Sequence, residues 1–172
     1  MDRRTFGLLA ASAAMTAGCS SRSKFRSYNG PAVTSIVVNK GARRMYLLHH
    51  EKVLKEYKFG LGFAPQGDKK VRGDGKTPEG TYLIDRRNPN SAFHLSLGIS
   101  YPNANDVAEA KALGKEPGGD IFIHGQPNLL TDRRTARKRG EDWTAGCIAV
   151  KNREMEEIYA MVQTGTLITL RA

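Results

Sequence analysis

Read as alternating apolar and polar positions, the chain divides into short β-type stretches separated by turn residues. Ser35 to Val38, Arg44 to Leu48 and Val53 to Leu61 are β-branched or aromatic runs. Asn39-Lys40-Gly41 and His49-His50-Glu51 punctuate them, which predicts a meander of strands. In the third run Tyr57, Phe59 and Leu61 alternate with Lys58 and Gly60, the period of a half-buried strand. Gly80 to Asp85 and Phe93 to Ile99 predict two more strands, Ile121 to Ile123 and Cys147 to Val150 two short buried ones, and Thr166 to Leu170 a closing strand. The interval Gly62 to Gly80 holds five glycines and two prolines and predicts a long loop inside the domain, a place where function concentrates.

Helical periodicity is sparser. Asn105 to Leu113 is a weak helical patch. Met155, Ile158, Tyr159 and Val162 fall at i, i+3, i+4 and i+7, with Asn152 as the expected N-cap and Gly165 as the expected stop. Glu154, Glu156 and Glu157 complement the helix dipole.

The amino terminus follows neither pattern. Residues 1–19 place Arg3 and Arg4 before an apolar stretch from Phe6 to Ala17, too short to span a membrane, and read as an export signal. The paired arginines resemble a twin-arginine signal, and Thr16-Ala17-Gly18-Cys19 resembles a lipobox, which makes Cys19 a lipidation site. The alternative is an ordinary secretory signal with Cys19 near the cut by chance. Either way the body is expected outside the cytoplasm, in the periplasm or cell envelope. Residues 20–30 are polar and basic, the composition of a tether, and residues 31–172 form the folded body.

With 172 residues and 40% hydrophobic content the chain suits one globular domain. Its net charge of +10 falls only to +9 when residues 1–18 are removed, so an exported body stays basic. Acidic wall polymers and lipid headgroups are the expected anions there, rather than nucleic acid; general solubility is the competing explanation.

If Cys19 carries lipid, Cys147 has no disulfide partner. Three explanations of Cys147 are then open: no lipid on Cys19 and a Cys19–Cys147 disulfide instead, a buried inert thiol, or a reactive one. His124 leaves the run Ile121 to Ile123 just before Gly125, and Cys147 enters the run Ile148 to Val150 just after Gly146, so each is expected at a strand rim. Neighbouring strands would bring thiol and imidazole together as nucleophile and base, with an imidazolium stabilising the thiolate. The Gly125 carbonyl is the expected orienter of the ring, and the N–H groups of Gly146 and Cys147 the expected oxyanion donors.

On these residues the chain resembles the L,D-transpeptidase (YkuD-type) catalytic domain. His124-Gly125 is followed by Thr144-Ala145-Gly146-Cys147-Ile148, and upstream Thr77-Pro78-Glu79-Gly80 matches the Thr-Pro-x-Gly turn of that family. The resemblance spans Ser35 to Leu170. It implies a mainly-β single domain with a few helices, a β-sandwich or barrel. It also implies a cysteine acyltransferase on peptidoglycan stem peptides. By that likeness Cys147 attacks the carbonyl of the third stem residue and expels D-alanine. The thioester then passes to an amine, giving a 3-3 cross-link or an attached protein. Ala145 stands where many members carry a second His, and Ala149 where many carry an Arg. Those departures also suit a wall amidase or endopeptidase, with water as acceptor. A catalytically silent wall-binding lipoprotein is the third reading.

Thr144, His94, Arg133 and Arg134 are candidate substrate contacts, His94 as a replacement for the His absent at 145. Arg133 to Arg139 reads as a short helix lidding the site, or simply as a solvated face. No cofactor is expected, and no zinc-type ligand spacing occurs in the sequence.

Overall fold

The computed structural model describes residues 23–172. The expected export signal, Cys19 and the first three tether residues lie outside the described residues. Eight strands and three helices follow in order: β1 Ser35–Asn39, β2 Arg44–His49, β3 Lys52–Lys58, β4 Gly80–Asn88, β5 Ser96–Ile99, α1 Ala104–Ala112, β6 Phe122–His124, α2 Leu130–Arg139, β7 Ile148–Ala149, α3 Asn152–Met161 and β8 Leu167–Arg171.

The strands form one sheet ordered β3-β2-β1-β8-β4-β5-β6-β7. β1 to β3 make the meander expected from their alternation, and β8 returns from the carboxyl terminus to lie parallel to β1. Just beyond β3, Gly60 exchanges two hydrogen bonds with Ala149 of β7, each 2.9 Å, so the sheet curls until its two ends meet. A side chain at Gly60 could not coexist with that closure, because a Cβ there would sit 2.0 Å from the Glu141 carbonyl oxygen.

Inside the curl lie Ile36, Met45, Leu47, Leu61, Ile84, Leu97, Ile123, Ile148 and Ile168, all fully buried. Tyr57, Phe59 and Leu61 are buried as their alternation requires. α3 lays Met155 and Ile158 against the sheet and Val162 follows at its end, each burial contributing roughly 1.5–3 kcal/mol.

Three local expectations differ. β5 starts at Ser96 rather than Phe93, because His94 adopts φ +72° and Leu95 N–H turns back to the Phe93 carbonyl at 3.0 Å. Asn152 is inside α3, not its N-cap: its Oδ1 accepts from Gln126 N–H at 2.7 Å, while Glu154 caps the helix by accepting from Lys151 N–H at 3.0 Å. The helix ends at Met161, and Gly165, with φ +87°, instead makes the turn into β8.

The segment expected as tether is held to the body from Lys24 onward. Arg26 forks onto Glu156 at 2.8 Å and Glu157 at 3.3 Å, and Lys24 Nζ donates to the carbonyls of Pro89 and His94.

Candidate functional site

β6 and β7 are adjacent and parallel, with Ile123 opposite Ile148 and His124 opposite Ala149. Carrying that register back one step sets Cys147 beside Phe122. With a strand period of two, His124 and Cys147 project from the same face, diagonal to one another. Both line one cavity of about 300 Å³, whose wall includes Phe93, Ser96, Asp120 and Phe122.

His124 is buried, at 3% exposure. Its Nδ1 lies 2.7 Å from the Gly125 carbonyl oxygen, which can only accept, so Nδ1 carries the proton and Nε2 keeps a lone pair. Phe93 stacks on the ring at 4.5 Å between centroids and Trp143 meets it edge-on at 5.5 Å. Burial among these apolar faces lowers the His124 pKa to about 4, against a smaller upward pull from the Gly125 carbonyl. The imidazole is therefore neutral at physiological pH.

Cys147 is a free cysteine, partly exposed. Burial pushes its thiol pKa up, with a further push from Asp120, while the Phe122 backbone N–H and the Lys69 ammonium pull it down. Its S–H donates to the Asp120 carbonyl at 3.5 Å. The resting pair is thus thiol and neutral imidazole. Desolvation works against both charges of the thiolate and imidazolium expected from the sequence.

The turn before Cys147 is fixed by hydrogen bonds to its own backbone. Thr144 Oγ1 donates to the Cys147 carbonyl at 2.7 Å and accepts from Gly146 N–H at 3.2 Å. Of the two expected oxyanion donors, Gly146 N–H is therefore already engaged, which leaves Cys147 N–H. Gly146 has φ +132°, and a Cβ would fall 2.6 Å from the Lys76 carbonyl oxygen, so only glycine fits.

Behind this turn packs the long loop. Thr77, fully buried, donates its hydroxyl to the Gly146 carbonyl at 2.8 Å. Lys40 is buried too, and its ammonium donates to the carbonyls of Gly67 and Thr77 and to Glu79 at 2.7, 2.8 and 2.8 Å. A second buried lysine, Lys69, donates to Asp74 at 2.9 Å. Burial alone would raise the Asp74 pKa, but Lys69 and the N–H groups of Val71, Lys70 and Lys76 bring it below the usual carboxylate range. Paired ammonium groups thus brace the loop internally, and the Thr77 hydroxyl ties it to the Cys147 turn.

The other sequence candidates are dispersed. His94 Nε2 pairs with Glu156 at 3.0 Å and does not line the Cys147 cavity. Thr144 is buried at 5% exposure and acts on the turn rather than facing the cavity. Arg133, with Arg137 and Lys151, lines a separate cavity of about 520 Å³ that has Trp143 in its wall. Arg134 is exposed and lines neither. Phe93, which cages His124 together with Trp143, carried no usable sequence signal, since its contact with the ring exists only in three dimensions. Among the described residues, no group of three His, Cys, Asp or Glu side chains is placed to hold a metal ion.

Comparison with known proteins agrees with this geometry. A family model, the L,D-transpeptidase catalytic domain, matches residues 34–170. YafK of Escherichia coli K12, provisionally named an L,D-transpeptidase, is 28% identical over 168 residues, which are 95% of this chain and 60% of that protein. The helical cell shape determining protein Pgp2 of Campylobacter jejuni superposes with a TM-score of 0.61 at 30% identity, over 84% of this chain and 49% of that one. An L,D-transpeptidase of Mycobacterium smegmatis, at 15% identity and a TM-score of 0.51, shares the fold over 82% of this chain and 59% of its own. The chain thus spans three fifths of its curated relative and about half of Pgp2.

Proposed function

The chain belongs to the L,D-transpeptidase catalytic-domain family, and from that premise we propose that it is an acyltransferase of the cell wall working through a thioester on Cys147. Cys147 Sγ attacks the carbonyl carbon of the third residue of a stem peptide, and the thiol proton passes to Nε2 of His124. The Gly125 carbonyl keeps Nδ1–H in place and steadies the imidazolium that forms. Cys147 N–H donates to the oxyanion. Collapse breaks the peptide bond, and the departing D-alanine nitrogen takes the proton from His124. An amine from a second stem then attacks the thioester, His124 takes its proton, and the thiol is restored, leaving a 3-3 cross-link.

The observation that carries this reading is the neutral His124, with Nδ1–H fixed on Gly125 and Nε2 free, in the same cavity as the Cys147 thiol. A base must be unprotonated before it can accept, and this one is so across the physiological range.

The export-signal-like residues 1–19, with their lipobox-like end at Cys19, support an envelope location with a lipid anchor, and the likeness to Pgp2 supports a role in building wall shape. Acidic stem peptides are the substrate partners. Incubating the protein with defined tetrapeptide muropeptides tests the activity. A 3-3 dimer, lost in Cys147→Ala, is the expected product. A shortened monomer without dimer would make it a hydrolase, and no change would make it a silent binder.

A further inference from the structure

α2 is held to the body by few contacts. Of its ten residues only Ala136 is buried, while Arg133 and Arg137 turn toward the cavity beside Trp143. At 100° per residue, Arg134 and Lys138 lie opposite Ala136 with Thr131 beside them, and Leu130 sits at the edge of that outward stripe. Leu129 and Leu130 are 65% and 69% exposed, at the start of a helix that carries Arg133, Arg134, Arg137, Lys138 and Arg139 against a single acid, Asp132. Neither the Cys147 cavity nor the one beside Trp143 is lined by this outward stripe.

The position of the stripe gives it meaning. His94 is gripped from two sides: Lys24 Nζ donates to its carbonyl at 3.2 Å, and its N–H donates to Asn128 Oδ1 at 3.0 Å. These two bonds and the span of one residue put Lys24 Nζ within about 10 Å of the Asn128 side chain. Leu129 follows Asn128 directly, and Phe25, 54% exposed, follows Lys24. Cys19 is five residues before Lys24, a separation of at most about 18 Å even when fully extended. An acyl chain on Cys19 would hold this end of the body close to the bilayer, whatever path the intervening residues take.

We infer that the outward face of α2, with Leu129 and Leu130, is a docking surface for a bilayer bearing anionic phospholipid headgroups. Arg134 and Lys138 supply the attraction to phosphate, and the two leucines enter the boundary between headgroups and acyl chains. Ten residues rich in arginine cannot span a bilayer, so the helix lies on it. The inference uses the envelope location but not the acyl-transfer chemistry, so either can fail alone.

Vesicle co-sedimentation tests it, with the full chain carrying Cys19→Ser so that no lipid is attached. This parent is compared with Arg134→Gln/Lys138→Gln and with Leu129→Ser/Leu130→Ser. All share residues 1–22, whose own contribution cancels. On vesicles containing phosphatidylglycerol the charge variant should bind about twenty-five-fold more weakly, at about fivefold per cation, and added salt should erase the difference. The leucine variant should bind more weakly with less dependence on salt. Unchanged melting temperatures separate lost docking from lost folding, since all four side chains are exposed. Equal binding of the parent and both variants overturns the inference, as does equal binding to pure phosphatidylcholine. Loss of binding to isolated wall sacculi with vesicle binding intact also overturns it, by assigning the surface to wall polymer.

Discussion

The buried hydroxyl of Thr77 donates to the carbonyl of Gly146, 2.8 Å away, and so ties the long loop to the residue before Cys147. Thr77→Val keeps the shape but leaves that carbonyl without a donor, which should cost about 1–3 kcal/mol. Thr77→Ser keeps the donor and should recover most of the loss. Thermal melts check stability. The rate of Cys147 acylation by a carbapenem, followed by mass spectrometry, should fall in Thr77→Val and return in Thr77→Ser.

A resting thiol beside a neutral imidazole has a different reactivity profile from an ion pair. Alkylation of Cys147 by iodoacetamide should keep accelerating with pH through 9, because burial raises the thiol pKa above its ordinary range. A preformed thiolate and imidazolium would instead plateau in the mildly acidic range. The pH dependence of the alkylation rate, read by mass spectrometry, separates the two.

Phe93 and Trp143 keep water from the His124 ring. Trp143→Ala should admit it and move the His124 pKa from about 4 toward 6.5. The imidazole resonances in a pH titration by NMR report this directly, with His124→Gln identifying the signal among the four histidines.

The same burial links stability to pH. A histidine whose folded pKa lies below its unfolded value is neutral in the native state while the unfolded chain already binds a proton. Its contribution is complete above pH 6.5 and is lost as pH falls toward 4, up to about 3 kcal/mol. Urea midpoints at neutral and acid pH should therefore converge more in His124→Gln than in the parent. That difference isolates His124 from carboxylates such as Asp74, which titrate lower still.

Much of the sheet could be read from local pattern. Tyr57, Phe59 and Leu61 alternate in the sequence and are buried in the fold, and Met155, Ile158, Tyr159 and Val162 face inward at helical spacing. His124 and Cys147 were visible because each adjoins a glycine at the end of an apolar run. What escaped was set by distant partners. Phe93-His94-Leu95-Ser96 has the alternation of a strand, yet His94 turns through positive φ and spends its ring on Glu156. Asn152 has a cap's chemistry but gives its oxygen to Gln126. Lys40 and Lys69 look like surface lysines until the loop folds over them. The protonation preference of the His124–Cys147 pair was equally hidden, since it depends on what encloses the ring and not on what precedes it.

β7 is two residues long and has a neighbour on each side, β6 on one and Gly60 on the other. An incoming peptide finds no free backbone there to pair with and cannot join the sheet as an extra strand. In the proposed reaction the peptide would present its carbonyl from the cavity side, and selectivity would rest on pocket walls such as Phe93 and Phe122 rather than on main-chain pairing.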